Sequence, residues 1–409
     1  MESPPKLLLC YVSGLDLRRV DADATPFLSG ALERLPWAEM TNLPSNELLP
    51  TMLTGVYPPR HGVWGVRLAS SSAPTDGRRA VDLLPDLVTT TAQCVVHALS
   101  GGCDLAAIPP RRRRRFRITR TKYVRRRRPR QVLPRIGPVQ SLIGAVGPDR
   151  SRYLFSSATD PLRLLGRMGA GRYLLEVLEL YSLDRVQQWN LDRPAVVRDY
   201  YRRVDEFLRR LHAGCRAAGV TLAVLSDHGH EAVRRSVDLR ARLGRLELDE
   251  TEYSFFLELS IVRFWFHSAR ARERIDGMLA ALPHAQVLDA DDLRRLHLGF
   301  ENGDYGERVA VAEPGTIFFP HDFHQPVANW VLGLTDRKQW RRVLDPRQRS
   351  NHGYLPQHPC ERGFLLLADD GFTATRNRIE LIDVAPSVLS LLGLEPPAEM
   401  RGRPVFARS

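Results

Sequence analysis

LLLCYVSGLD, residues 7–16, runs apolar without a break from Leu7 to Val12 and then turns through Ser13-Gly14-Leu15 onto Asp16. A strand that shows no polar alternation is buried on both faces, as in a parallel sheet, and this one delivers a carboxylate at its carboxyl end. That edge is where open α/β sheets bind their ligands. The pattern recurs twice: the mostly apolar stretch Leu174 to Leu183 runs into Asp184, and Val220 to Leu225 runs into Ser226-Asp227-His228-Gly229. Between these two, Pro194 opens a helix. Val197, Tyr201, Val204, Phe207, Leu208, Leu211 and Cys215 fall on one face of it, and Gly219 stops it. Strand, helix, strand at this spacing is a βαβ unit, so the fold expected is α/β, with a mostly parallel central sheet and helices on both faces.

Further along, the segment 236–349 has shorter apolar runs, several turn signals and no acid-tipped strand. It reads as a cap inserted between a first core part, 1–235, and a second, 350–409. The second part carries a strand near Phe364 to Ala368 and a final helix near Asp383 to Leu392.

The chain has 409 residues and a net charge of +12. The stretch Arg111 to Arg130, RRRRRFRITRTKYVRRRRPR, holds 12 Arg, one Lys and no acid, and the other 389 residues sum to −1. A generally basic surface is therefore excluded; one cationic insert sits in a near-neutral chain. Three readings of it stay open: a solvated surface excursion, docking onto nucleic acid or an anionic surface, and guidance of an anionic substrate. Phe116 and Tyr123 are its only aromatics, which is thin support for base stacking. The five cysteines are scattered without a CxxC pair, which argues against a disulfide framework and a structural zinc site. A cytoplasmic location is expected, with no transmembrane segment.

Carboxylates and imidazoles hold divalent metals, and Asp16, Asp184, Asp227, His228 and His352 offer them at strand ends and in SNHGYLP. Taken one at a time, each acid could equally cap the following helix. PSNELLPTMLTGVYPPRHGVWG, residues 44–65, places Ser45 where a short helix should begin, with N-terminal amides to stabilise an anion. Ser45 is thus a candidate nucleophile or a helix N-cap, and Asn46 beside it is the nearest side-chain donor for phosphate oxygens. His61 is assigned to structure. FFPHDFHQP, residues 318–326, groups His321, Asp322 and His324, and reads as a solvated polar loop.

In this order these segments resemble the alkaline phosphatase superfamily, in its type I phosphodiesterase and nucleotide pyrophosphatase branch. The resemblance rests on Asp16, TGVYPPRHGVWG, Asp184, SDHG at 226–229, NHGY at 351–354, and DVAPSVLSLLGLEPPAEMRGRPV at 383–405. It implies a metal-dependent hydrolase of small anionic phosphate esters with two divalent ions, zinc or manganese. Asp16, Ser45, Asp227 and His228 match the ligands of one ion, with Ser45 also the nucleophile, and Asp184 and His352 match ligands of the other. The family's histidine four residues after the second-site aspartate is Gln188 here. A neutral amide oxygen suits zinc less well than a harder ion such as manganese or magnesium, so the second ion should be held weakly. His230 is a candidate substitute. The alternatives are an impaired member that binds an anionic ligand or partner, and a phosphomonoester or phosphonate hydrolase.

Overall fold

The computed structural model describes residues 4–45, 47–65, 133–169, 171–324 and 340–409, together with short pieces at 67–69, 84–85, 88–89, 91–92, 116–118 and 330. Apart from 116–118, the basic tract lies outside the described residues, as does Asn46. The chain forms two compact units: one of residues 1–65, 120–232 and 355–409, the other of 66–119 and 233–354. The second unit thus takes in 66–119 as well as the whole stretch expected to form the cap.

The first unit is built on seven strands: β1 (Lys6–Val12), β2 (Trp37–Thr41), β3 (Ser151–Ser156), β4 (Leu175–Leu180), β5 (Val220–Ser226), β6 (Arg362–Leu367) and β7 (Arg378–Glu380). They are ordered β7-β2-β6-β5-β1-β4-β3. β1 runs parallel to both β4 and β5, β3 parallel to β4, and β2 parallel to β7; only β6 is antiparallel to its neighbours β2 and β5. The sheet is the mainly parallel one expected.

Alternation along β1 explains its unbroken apolarity. Leu7, Leu9 and Tyr11 enter one core layer, where α2 (Leu49–Thr54), α3 (Leu142–Val146) and α6 (Val384–Leu391) pack, while Leu8, Cys10 and Val12 enter the other. That second layer is closed by α1 (Pro26–Arg34) and by α5 (Pro194–Ala217), the long helix read from the sequence. Burying Val197, Val204, Phe207, Leu208 and Leu211 contributes on the order of 1.5–3 kcal/mol per side chain and fixes which face of α5 meets the sheet.

Two expectations shift at the sheet edge. β4 ends at Leu180, and Asp184 lies in the first turn of α4 (Ser182–Asn190), so its carboxylate is carried by a helix and not by a strand end. α2 begins at Leu49 with Leu48 as N-cap, so Ser45 precedes the helix and does not cap it.

The second unit has a four-stranded antiparallel sheet, ordered Tyr253–Leu257, Ile261–Phe266, Arg308–Ala312, Ala285–Leu288. Phe116 from the basic tract is buried against Phe256 and Trp265 in this unit, at ring centroid distances of 6.0 and 5.7 Å. The tract therefore has one described residue packed in a core, where its ring is not available for base stacking. The FFPHDFHQP segment is not the solvated loop expected either. His321 and Asp322 are buried, and the Asp322 carboxylate accepts from Leu257 N at 2.9 Å and from the Arg240 guanidinium. The backbone donor and the arginine answer the cost of burying that carboxylate.

Candidate active site

Three neighbouring strands, β5, β1 and β4, bring their carboxyl ends to one edge of the sheet, and Asp227, Asp16 and Asp184 follow them. The loop after β2, which carries Ser45, leaves from the same edge because β2 runs in the same direction. Antiparallel β6 enters there, which brings Cys360 and Glu361 alongside: Gly229 N donates to Cys360 O at 2.7 Å.

Asp227 is buried and multiply held. Its Oδ1 accepts from Gly14 N at 3.1 Å and from its neighbour's amide, His228 N, at 3.0 Å. Its Oδ2 accepts from the Tyr11 hydroxyl and, at 3.4 Å, from Ser13 Oγ. Gly14 reaches this position with φ of +77°, a left-handed conformation costly for a side chain with a Cβ. Burial works against the ionised form of Asp227, but His228 and these donors outweigh it and hold its pKa below the usual range.

His228 donates from Nδ1 to Gly229 O at 2.8 Å, which orients the ring and turns Nε2 toward Asp227 Oδ2, 3.2 Å away. Burial pushes this imidazole down; Asp227, with smaller contributions from Asp184 and Glu361, lifts it to about 9.

Asp184 is flanked on both oxygens. His230 Nε2 lies 3.0 Å from Oδ1, and Gln188 Nε2 donates to Oδ2 at 2.7 Å. Because a carboxylate only accepts, Gln188 must turn its N–H groups to Asp184. Burial lowers the His230 pKa, and Asp184 opposes that only in part. A ring nitrogen of His228 and a carboxylate oxygen of Asp184 lie within 4.8 Å. Beneath them Gln187 is fully buried, donating to Gly14 O at 2.6 Å and accepting from the Tyr201 hydroxyl at 3.2 Å, which ties α4 to the turn after β1.

Asp16 has a different role in the geometry. It caps the single turn Leu17–Arg19, accepting from Arg18 N, and the Arg18 guanidinium holds both of its oxygens, Nε to Oδ1 at 3.0 Å and Nη2 to Oδ2 at 2.8 Å. Arg18 also donates to His230 O at 2.7 Å and toward Glu231. A Cβ on Gly229 would meet the Asp16 carboxylate at 2.3 Å, so this close approach requires glycine there.

Ser45 is buried, and its Oγ forms a local turn, accepting from Glu47 N at 3.0 Å and donating to Glu47 O at 3.3 Å. Trp64 Nε1 anchors the same loop by donating to Pro44 O at 2.8 Å. His61 is structural in its contacts: Nδ1 accepts from Val63 N at 3.3 Å, so Nε2 carries the proton and meets Thr51 Oγ1 at 3.1 Å. His352 lies in the second unit, buried, with its carbonyl accepting from Ser260 Oγ at 3.1 Å.

The residues test the metals that the resemblance implies. Asp184, His228 and His230 supply a carboxylate and two imidazoles, a donor set that suits zinc or manganese. The set expected around Asp16 does not fit an ion equally well, since a guanidinium already satisfies both oxygens of that carboxylate.

The sequence profile of the type I phosphodiesterase / nucleotide pyrophosphatase family matches residues 11–355. The chain belongs to this family. It shares its fold with murine and human ectonucleotide pyrophosphatase/phosphodiesterase 5. The murine structure superposes with a TM-score of 0.63 at 14% identity over 96% of each chain. The human one gives 0.64 at 14% over 97% of each. An inactive form of the murine protein, solved in complex with AMP, matches with the same score and coverage. No curated protein matches the chain in sequence. Among the described residues, no helix is long and apolar enough to cross a membrane.

Sequence reasoning missed Tyr11, Ser13, Arg18 and Glu361. Arg18 had a local signal, an arginine two residues after a strand-end acid. The other three are set beside the site only by strand pairing.

Proposed function

We propose that this family member hydrolyses phosphoric esters, of the phosphodiester or nucleotide pyrophosphate type, with Ser45 as nucleophile. The observation that carries the reading is the approach of Asp184 and His228 at the carboxyl edge of the sheet, with His230 on the Asp184 carboxylate, in a chain that matches the family over residues 11–355. Asp184 and His228 would hold a divalent cation, with His230 beside Asp184, and His352 matches a ligand of the family in sequence. Bound there, the ion would supply positive charge to the ester's phosphate oxygens and to a departing alkoxide.

The chain's own groups do the rest. Ser45 Oγ attacks phosphorus, its proton passes to solvent and the ester oxygen leaves with its electron pair; water then cleaves the seryl phosphoester and restores the hydroxyl. The turn from Ser45 to Glu47 holds the hydroxyl in place, and Asn46 is assigned to the phosphate oxygens. The cytoplasmic location stays part of this proposal; Cys10, Cys215 and Cys360 are buried free thiols.

Purified protein is assayed with bis-para-nitrophenyl phosphate and a dinucleotide in the presence of manganese or zinc. Activity that Ser45→Ala abolishes supports the reading; no activity with any metal, or activity indifferent to Ser45→Ala, refutes it. A phosphomonoester and a phosphonate in the same panel separate the closest variants.

The Arg18 and Asp16 pair, together with Gln188, favours a second reading: an impaired member that binds an anionic ligand without turning it over. Saturable binding of a nucleoside monophosphate without hydrolysis would establish it.

A further inference from the structure

We infer that this chain binds one divalent cation and that His230 replaces, from the neighbouring strand's loop, the imidazole lost from α4 at Gln188. The inference rests on the metal reading of this site but not on turnover.

Three observations point the same way. Gln188 presents N–H groups to Asp184 Oδ2 at 2.7 Å, so its amide oxygen is turned off the carboxylate, and it acts as a donor that steadies Asp184. His230, two residues past the Asp227-His228 pair, brings Nε2 to 3.0 Å from the other oxygen, Oδ1. Two ligand atoms at about 2.0–2.1 Å from a tetrahedral ion stand about 3.3 Å apart, so the pair needs little movement to clasp one. His228, with a ring nitrogen within 4.8 Å of an Asp184 carboxylate oxygen, meets His230 edge to face at 5.5 Å between ring centroids.

The count of one follows from Arg18. A second ion would need Asp16, whose buried carboxylate is already neutralised by a guanidinium that also bonds His230 O. The fixed cation stands where the family's resemblance would put a mobile one. It also ties the Asp16 turn to the backbone that carries His230.

The test is metal binding in the absence of substrate. Full-length protein stripped with a chelator is titrated with manganese by calorimetry and with cobalt, whose visible spectrum reports imidazole ligation; elemental analysis gives the stoichiometry. One ion per chain is expected, with affinity lowered at least about tenfold by His230→Ala and little changed by Gln188→Ala. His230→Asn, which keeps a donor for Asp184, serves as the second variant where the alanine form does not fold, with the same loss of affinity and of the cobalt imidazole band expected. Two ions per chain, unchanged affinity in the His230 variants, or a larger loss in Gln188→Ala than in His230→Ala would overturn the inference. A chain that binds one ion through His230 and hydrolyses nothing would uphold it while removing the hydrolase reading.

Discussion

Arg18 closes on Asp16 with two parallel hydrogen bonds, Nε to Oδ1 at 3.0 Å and Nη2 to Oδ2 at 2.8 Å. The carboxylate side is almost fully buried while the arginine side chain keeps 39% exposure, so solvent screens part of the pair. Arg18→Ala should therefore cost about 1–3 kcal/mol in urea denaturation, less than the roughly 3–5 kcal/mol of a fully buried pair broken on one side. The freed carboxylate should also answer to metal: manganese is expected to raise the melting temperature more in the variant than in the parent. Equal shifts in the two proteins would show that Arg18 does not stand in place of an ion.

Tyr11 donates to Asp227 Oδ2 from within β1, where both groups are buried. Tyr11→Phe keeps the packing and removes the donor, and a loss of about 1–3 kcal/mol is expected from a charged acceptor left short of one partner. The variant should also weaken the hold on Asp227 and raise its pKa, readable by carboxyl titration in NMR. A titration identical to the parent's would mean that Gly14, Ser13 and His228 suffice.

His61 is expected to make stability fall in acid. Burial holds its pKa at about 3 against 6.5 for the free side chain, so between those values the unfolded chain binds the extra proton. Stability is complete above 6.5 and declines by about 1.4 kcal/mol per pH unit per such group as pH falls toward 3. His321, held at about 3 by burial, adds the same sign. His61→Gln should flatten the slope by about one proton, measured as denaturation free energy against pH; an unchanged slope would rule out a buried neutral His61.

Phe116→Ala removes a ring packed on Phe256 and Trp265, and a cost of about 3–5 kcal/mol to the second unit is expected by calorimetry. A loss under about 1 kcal/mol, the size of a surface change, would mean that the ring is not packed in that core.

Much of the fold was legible because its signals are local. Unbroken apolar runs marked β1 and β5, three- and four-residue spacing marked α5 from Pro194, and a resemblance spread over six segments ordered the rest. Asp184 was misplaced because leucines continue across the strand end at Leu180 into the helix that starts at Ser182, so the mostly apolar stretch Leu174 to Leu183 carries no glycine or proline to mark the boundary. The polar look of FFPHDFHQP concealed buried groups for a similar reason: composition does not show that Arg240 and Leu257 N will answer Asp322.

The sequence by itself determined the α/β class, the strands that end near acids, and the family, since each follows from the order and periodicity of residues along the chain. Only the tertiary structure decided what the acids do. Asp16 and Asp184 look equivalent as strand-end carboxylates, yet one is held by Arg18 and the other lies between His230 and Gln188. A carboxylate's chemistry is set by the donors within about 3 Å of it, and whether a nearby Arg18 or Gln188 turns onto the acid, or a His230 46 residues away reaches it, is settled only by the folded chain.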